Sequence, residues 1–240
     1  MKSLRLVKSF LFLFVVTSIT ASATIAQVQV SREIALKDFS EIHVTTGIEL
    51  IITQGAAEHA KIVADDALID AIVVEQSGNS VNIKWELIKS TRKRWLNRTA
   101  KVFISYQNLN LIEATEGNSV KTENTLKSNI LSILVTSGAI VTAGIDCPEL
   151  QMRTNSGASA LLNGNVGKLK LESSSGSRVN AVEMTSGYAS VTASSGADVK
   201  ISVSKELQAT ASSGGNIRYK GNPVVENSAG SKSGNVKAIQ

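Results

Sequence analysis

The chain has 240 residues, 25 Lys+Arg against 20 Asp+Glu, 42% hydrophobic but only 4% aromatic residues, two prolines and one cysteine, Cys147. A single cysteine excludes a disulfide framework, and scarce proline with frequent alternating β-branched residues excludes a disordered stalk. Aromatic rings that each bury roughly 150–250 Å² are too few for a conventional globular core of this size, whereas Val, Ile, Leu, Ala and Ser suit a narrow stacked interior.

Lys2, Arg5 and Lys8 precede an apolar run from Phe10 to Val16 and a small-residue stretch from Thr17 to Ala26. This is the layout of a secretory signal peptide spanning residues 1–26, and its apolar run is too short for a membrane span of about 20 residues. Cleavage is expected after Ala26, with Ala21-Ser22-Ala23 offering an alternative cut. The remaining chain carries 22 Lys+Arg against 20 Asp+Glu, a balance that gives no reason to expect nucleic acid as partner. The expected location is exported: periplasm, outer-membrane surface or extracellular.

Residues 27–106 read as an N-terminal β region. Around Gly47, Ile42 and Val44 precede and Ile48, Leu50 and Ile52 follow at alternating positions, the two-residue period of a strand with one buried face. Ser77-Gly78 repeats the arrangement, with Val73 before and Val81, Ile83 and Trp85 after. Strands are expected at 60–64, 72–76, 80–86 and 100–106, with a helical turn near Asp65 to Ala71.

Residues 107–240 read as a repeat region continuous with the first. Ser-Gly pairs end at Gly138, Gly157, Gly176, Gly196 and Gly214, spaced by 19, 19, 20 and 18 residues. Glu116-Gly117 lies 21 residues before the series and Ala229-Gly230 lies 16 after it. At odd distances from each glycine stand apolar or small residues, such as Leu131, Ile133 and Val135 before Gly138, and Val199 and Ile201 after Gly196. Even distances are mostly polar, Leu134, Ile140 and Leu161 excepted. One such coil cannot bury its apolar face alone; stacked coils close a dry interior. The expected fold is therefore all-β, a right-handed parallel β-helix (β-solenoid) with coils of about 19–20 residues. A meander or sandwich is the rival, but the repeat lacks the Asn-Gly and Asp-Gly turns of hairpins. Gly47, Gly78, Gly117, Gly138, Gly157, Gly176, Gly196 and Gly214 are the expected corners, because glycine takes φ > 0 without steric cost. The preceding serines fall on the inward phase, which predicts a hydroxyl column inside the corner.

The segments Phe39-Ser40-Glu41-Ile42, Thr46-Gly47-Ile48-Glu49, Thr53-Gln54-Gly55, Ala64-Asp65 to Ile72 and Val81-Asn82-Ile83-Lys84, with the Ser-Gly-Ala coils, resemble the auto-transporter adhesin head GIN domain family over about residues 34–225. Gly47-Ile48-Glu49 departs from the Gly-Ile-Asn signature at its third position. The resemblance implies an exported bacterial protein, largely of Bacteroidetes type, with a β-helical fold and no established activity.

Chemistry-bearing motifs are sparse. His43 and His59 have no cysteine or acidic partner at metal-ligand spacing, and His43 is expected on the solvated face. No nucleophile elbow, zinc-protease motif or phosphate-cradling loop occurs, and no histidine lies beyond residue 59 to activate the Ser-rich corners. No catalytic residue, metal or cofactor is assigned. Equal offsets from their glycines place Glu172 beside Arg153 and Asp198 beside Arg178, predicting ion pairs across coils. Lys89, Arg92, Lys93, Arg94, Trp95 and Arg98, with Lys101, form the strongest surface anomaly and a candidate site for an anionic glycan, lipid headgroup or acidic protein. Thr136, Asn155, Ser174, Ser194 and Ser212 align as a polar column, read as solubilising surface. These features favour a non-enzymatic envelope or secreted binding protein, adhesin-like, whose partner is a surface glycan, envelope component or protein. A structural or accessory envelope protein, self-associating or not, is the alternative, and a carbohydrate-active enzyme the third reading.

Overall fold

The computed structural model describes residues 29–86, 100–227 and 233–240. The signal-peptide segment 1–26, the basic residues Lys89 to Arg98 and Ala229-Gly230 lie outside the described residues.

The regular part is built from long strands that cross from one wall of the solenoid to the other. These are β12 (Ile140–Thr154), β13 (Ser159–Ser173), β14 (Arg178–Ala193) and β15 (Asp198–Ala211). They pair in parallel at one-coil offsets: Leu150 with Leu169, Leu169 with Ala189, Ala189 with Leu207. The C-terminal half of each forms a first face, the N-terminal half a second. β16 (Asn216–Lys220) and β18 (Asn235–Ala238) continue the second face, and β17 (Val224–Asn227) continues the first. The chain is a parallel β-solenoid, as the repeat spacing requires.

Between the faces lies a two-residue corner. Ser137 and Gly138 have φ 52° and 74°, and the pairs at 156–157, 175–176, 195–196 and 213–214 match them. Ala139 N–H donates to Thr136 O at 3.0 Å and Ser177 N–H to Ser174 O at 3.1 Å, so each corner is a turn with both central residues at positive φ. Such turns ordinarily close hairpins. Here the flanking strands pair with neighbouring coils, and the corners themselves form a ladder: Gly138 N–H donates to Ser156 O, Gly157 to Ser175 O and Gly176 to Ser195 O, each at 3.0 Å. Gly214 N–H donates to Ser233 O at 2.9 Å, so Ser233 supplies the last corner rung expected at Ala229-Gly230.

The expected inward serine column is not formed. Ser137, Ser156, Ser175, Ser195 and Ser213 are exposed, because two consecutive residues at positive φ interrupt the alternation and both point outward. The buried hydroxyls sit elsewhere: Thr154, Ser173 and Ser177 are nearly inaccessible and bond one another at 2.8–3.1 Å, and buried Ser186 donates to Ser202 O at 2.8 Å. Most of the remaining interior follows the odd-offset rule, with Leu131, Ile133, Val135, Leu150, Leu171, Val191, Val199 and Ile201 at 0–1% exposure; Met184 and Ser186 are buried at even offsets, where the register of β14 shifts.

The N-terminal region departs from sequential stacking. Its strands are β1 (Gln29–Ala35), β2 (Glu41–Val44), β3 (Ile48–Gln54), β4 (His59–Asp65), β5 (Ile72–Ser77), β6 (Ser80–Trp85), β7 (Ala100–Tyr106), β8 (Leu111–Ala114) and β9 (Ser119–Thr122), with a 3₁₀ turn at Ile69–Ala71. The first coil, β2 with β3, is sandwiched: β2 pairs in parallel with β6 and β8, β3 with β7 and β9. The chain thus goes out to build the terminal rung from β6 and β7, then returns past its first coil. Short β10 (Leu126–Lys127) and β11 (Ile130–Val135) lead into β12.

Antiparallel strands extend this end, β5 along β6 on the first face, β4 along β7 and β1 along β4 on the second. Gly78, expected as a coil corner, is instead a hairpin turn between β5 and β6, where Ser77 opposes Ser80. Crossing that hairpin changes the phase, so Ile72 and Val74 are buried while Val73 is only half-buried.

Candidate binding wall

On the first face, residues at even distances before each corner glycine point outward and align in columns across the coils. One column runs His43, Glu113, Leu134, Arg153, Glu172, Thr192, Thr210; the next runs Ser132, Gln151, Lys170, Ser190, Gln208; a third runs Ile130, Glu149, Lys168, Tyr188, Glu206. With rungs about 4.8 Å apart, this is a long, chemically varied wall. Three open depressions lie along it. One of ≈ 310 Å³ spans Glu113 to Glu172, one of ≈ 420 Å³ lies over Arg153, Asn155, Ser174 and Ser194, and one of ≈ 810 Å³ surrounds Tyr188. Arg153 and Glu172 line the first two, and Lys170 lines the first and third, so the depressions run together.

Arg153 Nε donates to Glu172 Oε2 at 2.7 Å, the pairing that equal offsets predict, and Lys170 Nζ lies 3.8 Å from the same carboxylate. The Arg153 hydrogen bond holds the Glu172 carboxyl below its usual range. Both partners are substantially exposed, so the pair shapes the surface more than it stabilises the fold. The second predicted pair is re-partnered. Asp198 stacks beside Arg178 in register, yet both oxygens of its carboxylate accept from Arg218 Nη2, at 2.6 and 2.7 Å, one coil further on.

His43 is not a freely solvated histidine. It is half-buried, its Nδ1 lies 2.7 Å from Glu113 Oε2 and its Nε2 3.7 Å from Glu41 Oε2. Glu41 in turn accepts from Ser80 Oγ at 2.5 Å and Asn79 Nδ2 at 3.0 Å; the Ser80 bond is the main reason its carboxyl titrates below the ordinary value. The cluster ties the β6, β2 and β8 rungs together. Glu113 lies 70 residues from His43, so spacing along the chain gave no signal of it. Among the described residues no three His, Cys, Asp or Glu side chains are gathered for a metal ion. Burial pushes the Cys147 thiol up to about 11, which keeps it protonated and unreactive at neutral pH.

Lys101, the described member of the basic group, pairs with Glu49 at 3.3 Å on the second face. The other six candidates lie outside the described residues, between Glu86, whose N–H donates to Ala71 O at 2.7 Å, and Ala100, which pairs with Ile48. Tyr188 is the wall residue that sequence reasoning passed over. The residue is 44% exposed and its ring lies under the Lys205 ammonium, 5.2 Å from the centroid. The available signal was its even offset, eight residues before Gly196, which puts an aromatic ring in an outward column whose other members past Ile130 are all charged.

A comparison with curated proteins found no match. Solved structures share the fold. One is described as a putative adhesin from Bacteroides fragilis, at 18% identity and TM-score 0.76, the match covering 89% of this chain and 98% of that one. A putative adhesin from Parabacteroides distasonis gives 16% identity, TM-score 0.64 and coverage of 89% and 98%. A further Parabacteroides distasonis structure, described as a putative lipid binding protein, gives 18% identity, TM-score 0.61 and coverage of 88% and 97%. A family model matches residues 38–223, with the corner ladder and most of the outward wall inside the match, and the chain belongs to the family described as "Putative auto-transporter adhesin, head GIN domain".

Proposed function

We propose that the chain is an exported, non-enzymatic binding protein of the bacterial envelope or its surroundings, adhesin-like in engaging its ligand along a wall instead of within a closed pocket. The observation that carries this reading is the in-register first face. Its confluent depressions combine an exposed aromatic ring, both signs of charge and neutral amides and hydroxyls. A rigid stacked backbone holds these groups at fixed spacing, so little ordering entropy opposes an extended ligand. Family membership and the signal-peptide layout of residues 1–26 support export.

The test is an array of glycans, matrix proteins and lipid vesicles probed with the chain from residue 27 onward. Saturable binding should be lost on Arg153→Ala with Lys170→Ala and retained on Lys200→Ala of the second face. Loss confined to Arg92→Ala, Lys93→Ala and Arg94→Ala would move the site to the basic segment. No saturable binding to any class would favour the structural or accessory role.

A further inference from the structure

We infer that the depression around Tyr188 is a subsite for a carboxylate-bearing saccharide, a ring of uronic-acid type; this deepens the wall reading above and rests on it. Tyr188 is the one aromatic side chain among the described residues that ranks as an exposed large apolar group. A flat ring on a rigid strand is a plate for the C–H face of a sugar, gaining apolar contact at little entropic cost. Lys168 stands one rung to one side of it and Glu206 one rung to the other, about 10 Å apart across the ring.

Charge sets the class. Lys168 and Lys170 line the depression and Lys205 sits over the ring, against Glu149 and Glu206. Glu149 already accepts from Gln151 at 2.8 Å, and Lys170 is drawn toward Glu172 at 3.8 Å. Among the described residues the Lys168 and Glu206 side chains have neither an ion pair nor a hydrogen bond. A uronate stacked on Tyr188 would displace the Lys205 ammonium from the ring, set its carboxylate between Lys168 and Lys205, and turn its hydroxyls to Glu206, Ser190 and Gln208. A neutral sugar would leave Lys168 unanswered, and an acidic peptide would leave the ring without a flat partner.

Titration calorimetry with an oligogalacturonide and a neutral galactan oligomer of equal length tests this on the chain from residue 27 onward. Uronide binding should be saturable, weaken with salt and exceed neutral binding about tenfold. Tyr188→Ala, and Lys168→Ala with Lys170→Ala, should each lose about tenfold, while Tyr188→Trp retains binding. Thermal melts of every variant check that the solenoid stays folded. Absent uronide binding, equal binding of the neutral oligomer or of polyglutamate, or indifference to Tyr188→Ala overturns the subsite. If uronides fail while Arg153→Ala with Lys170→Ala still abolishes array binding, only the subsite falls; if both fail, the wall reading falls too.

Discussion

The regular coils and the sandwiched first coil use the same corner position differently. After the corner glycine the regular coils place Ala139, Ala158, Ser177, Ala197 or Gly215, and each donates its N–H to the carbonyl three residues earlier. In the first coil Ile48 instead donates to Asn118 Oδ1 at 2.7 Å, while Asn118 Nδ2 bonds Val44 O at 2.7 Å and also reaches Thr115 O. Asn118 is fully buried and is itself the residue after Gly117. A coil stacked in chain order satisfies its corner locally. A coil that the chain must return to is sewn in by a side chain from 70 residues away. The interiors differ in the same sense: Ile42, Ile48, Leu50, Ile52, Ile83 and Ile112 crowd the first rungs, whereas in the later ones Ala158, Ala160, Ala193, Ala197, Ala209 and Ala211 alternate with larger residues such as Leu171 and Val191.

The largest test of that contrast is Ile52→Ala against Val191→Ala. The first should cost about 2–5 kcal/mol and the second markedly less, since fewer methyl groups leave a smaller cavity; urea denaturation at matched m-values reads both. Asn118→Ala should follow, at about 2–4 kcal/mol, because it strands the Ile48 N–H and the Val44 carbonyl in the interior. Ala158→Asn, which puts the same amide into a regular coil, should destabilise and not strengthen, having no orphan groups to serve. Tyr106 makes the opposite case. It is fully buried with its hydroxyl unpaired among the described residues, and burial raises its pKa, so Tyr106→Phe should be neutral or stabilising by about 1 kcal/mol.

The smallest effect is in pH. Glu41 and Glu172 both titrate below the ordinary carboxyl value, through Ser80 and Arg153 respectively. A carboxyl lowered by folding stabilises above its unfolded pKa of about 4.3 and loses that contribution as pH falls further. Stability should therefore decline below about pH 4. Ser80→Ala should flatten the Glu41 share of that decline, while an unchanged acid profile would show that the cluster contributes nothing.

Local repetition made the solenoid legible in the sequence. A coil is one repeat, so glycine spacing and alternating phase reported its geometry, and equal offset located the Arg153–Glu172 pair. The reading broke wherever geometry is not carried by period. Paired positive φ values turned the corner serines outward, the Gly78 hairpin reversed the phase of Val73, and Asp198 chose Arg218 over its nearer neighbour. The order of the first rungs, and with it the His43–Glu113 contact, depends on pairing across 70 residues. Of the candidate site, the columns were legible and Tyr188 was not, because one aromatic in an outward column means something only once its neighbours across coils are known.

Site-specific photo-crosslinking to ligand tests the central claim most directly, with the probe amino acid at Ser190 on the first face or at Asn180 on the second. With the array-identified ligand, adducts should form from Ser190, saturate with concentration and be absent from Asn180. Equal yields from both positions, or adducts from Asn180 alone, would contradict the assignment of the first face as the binding wall.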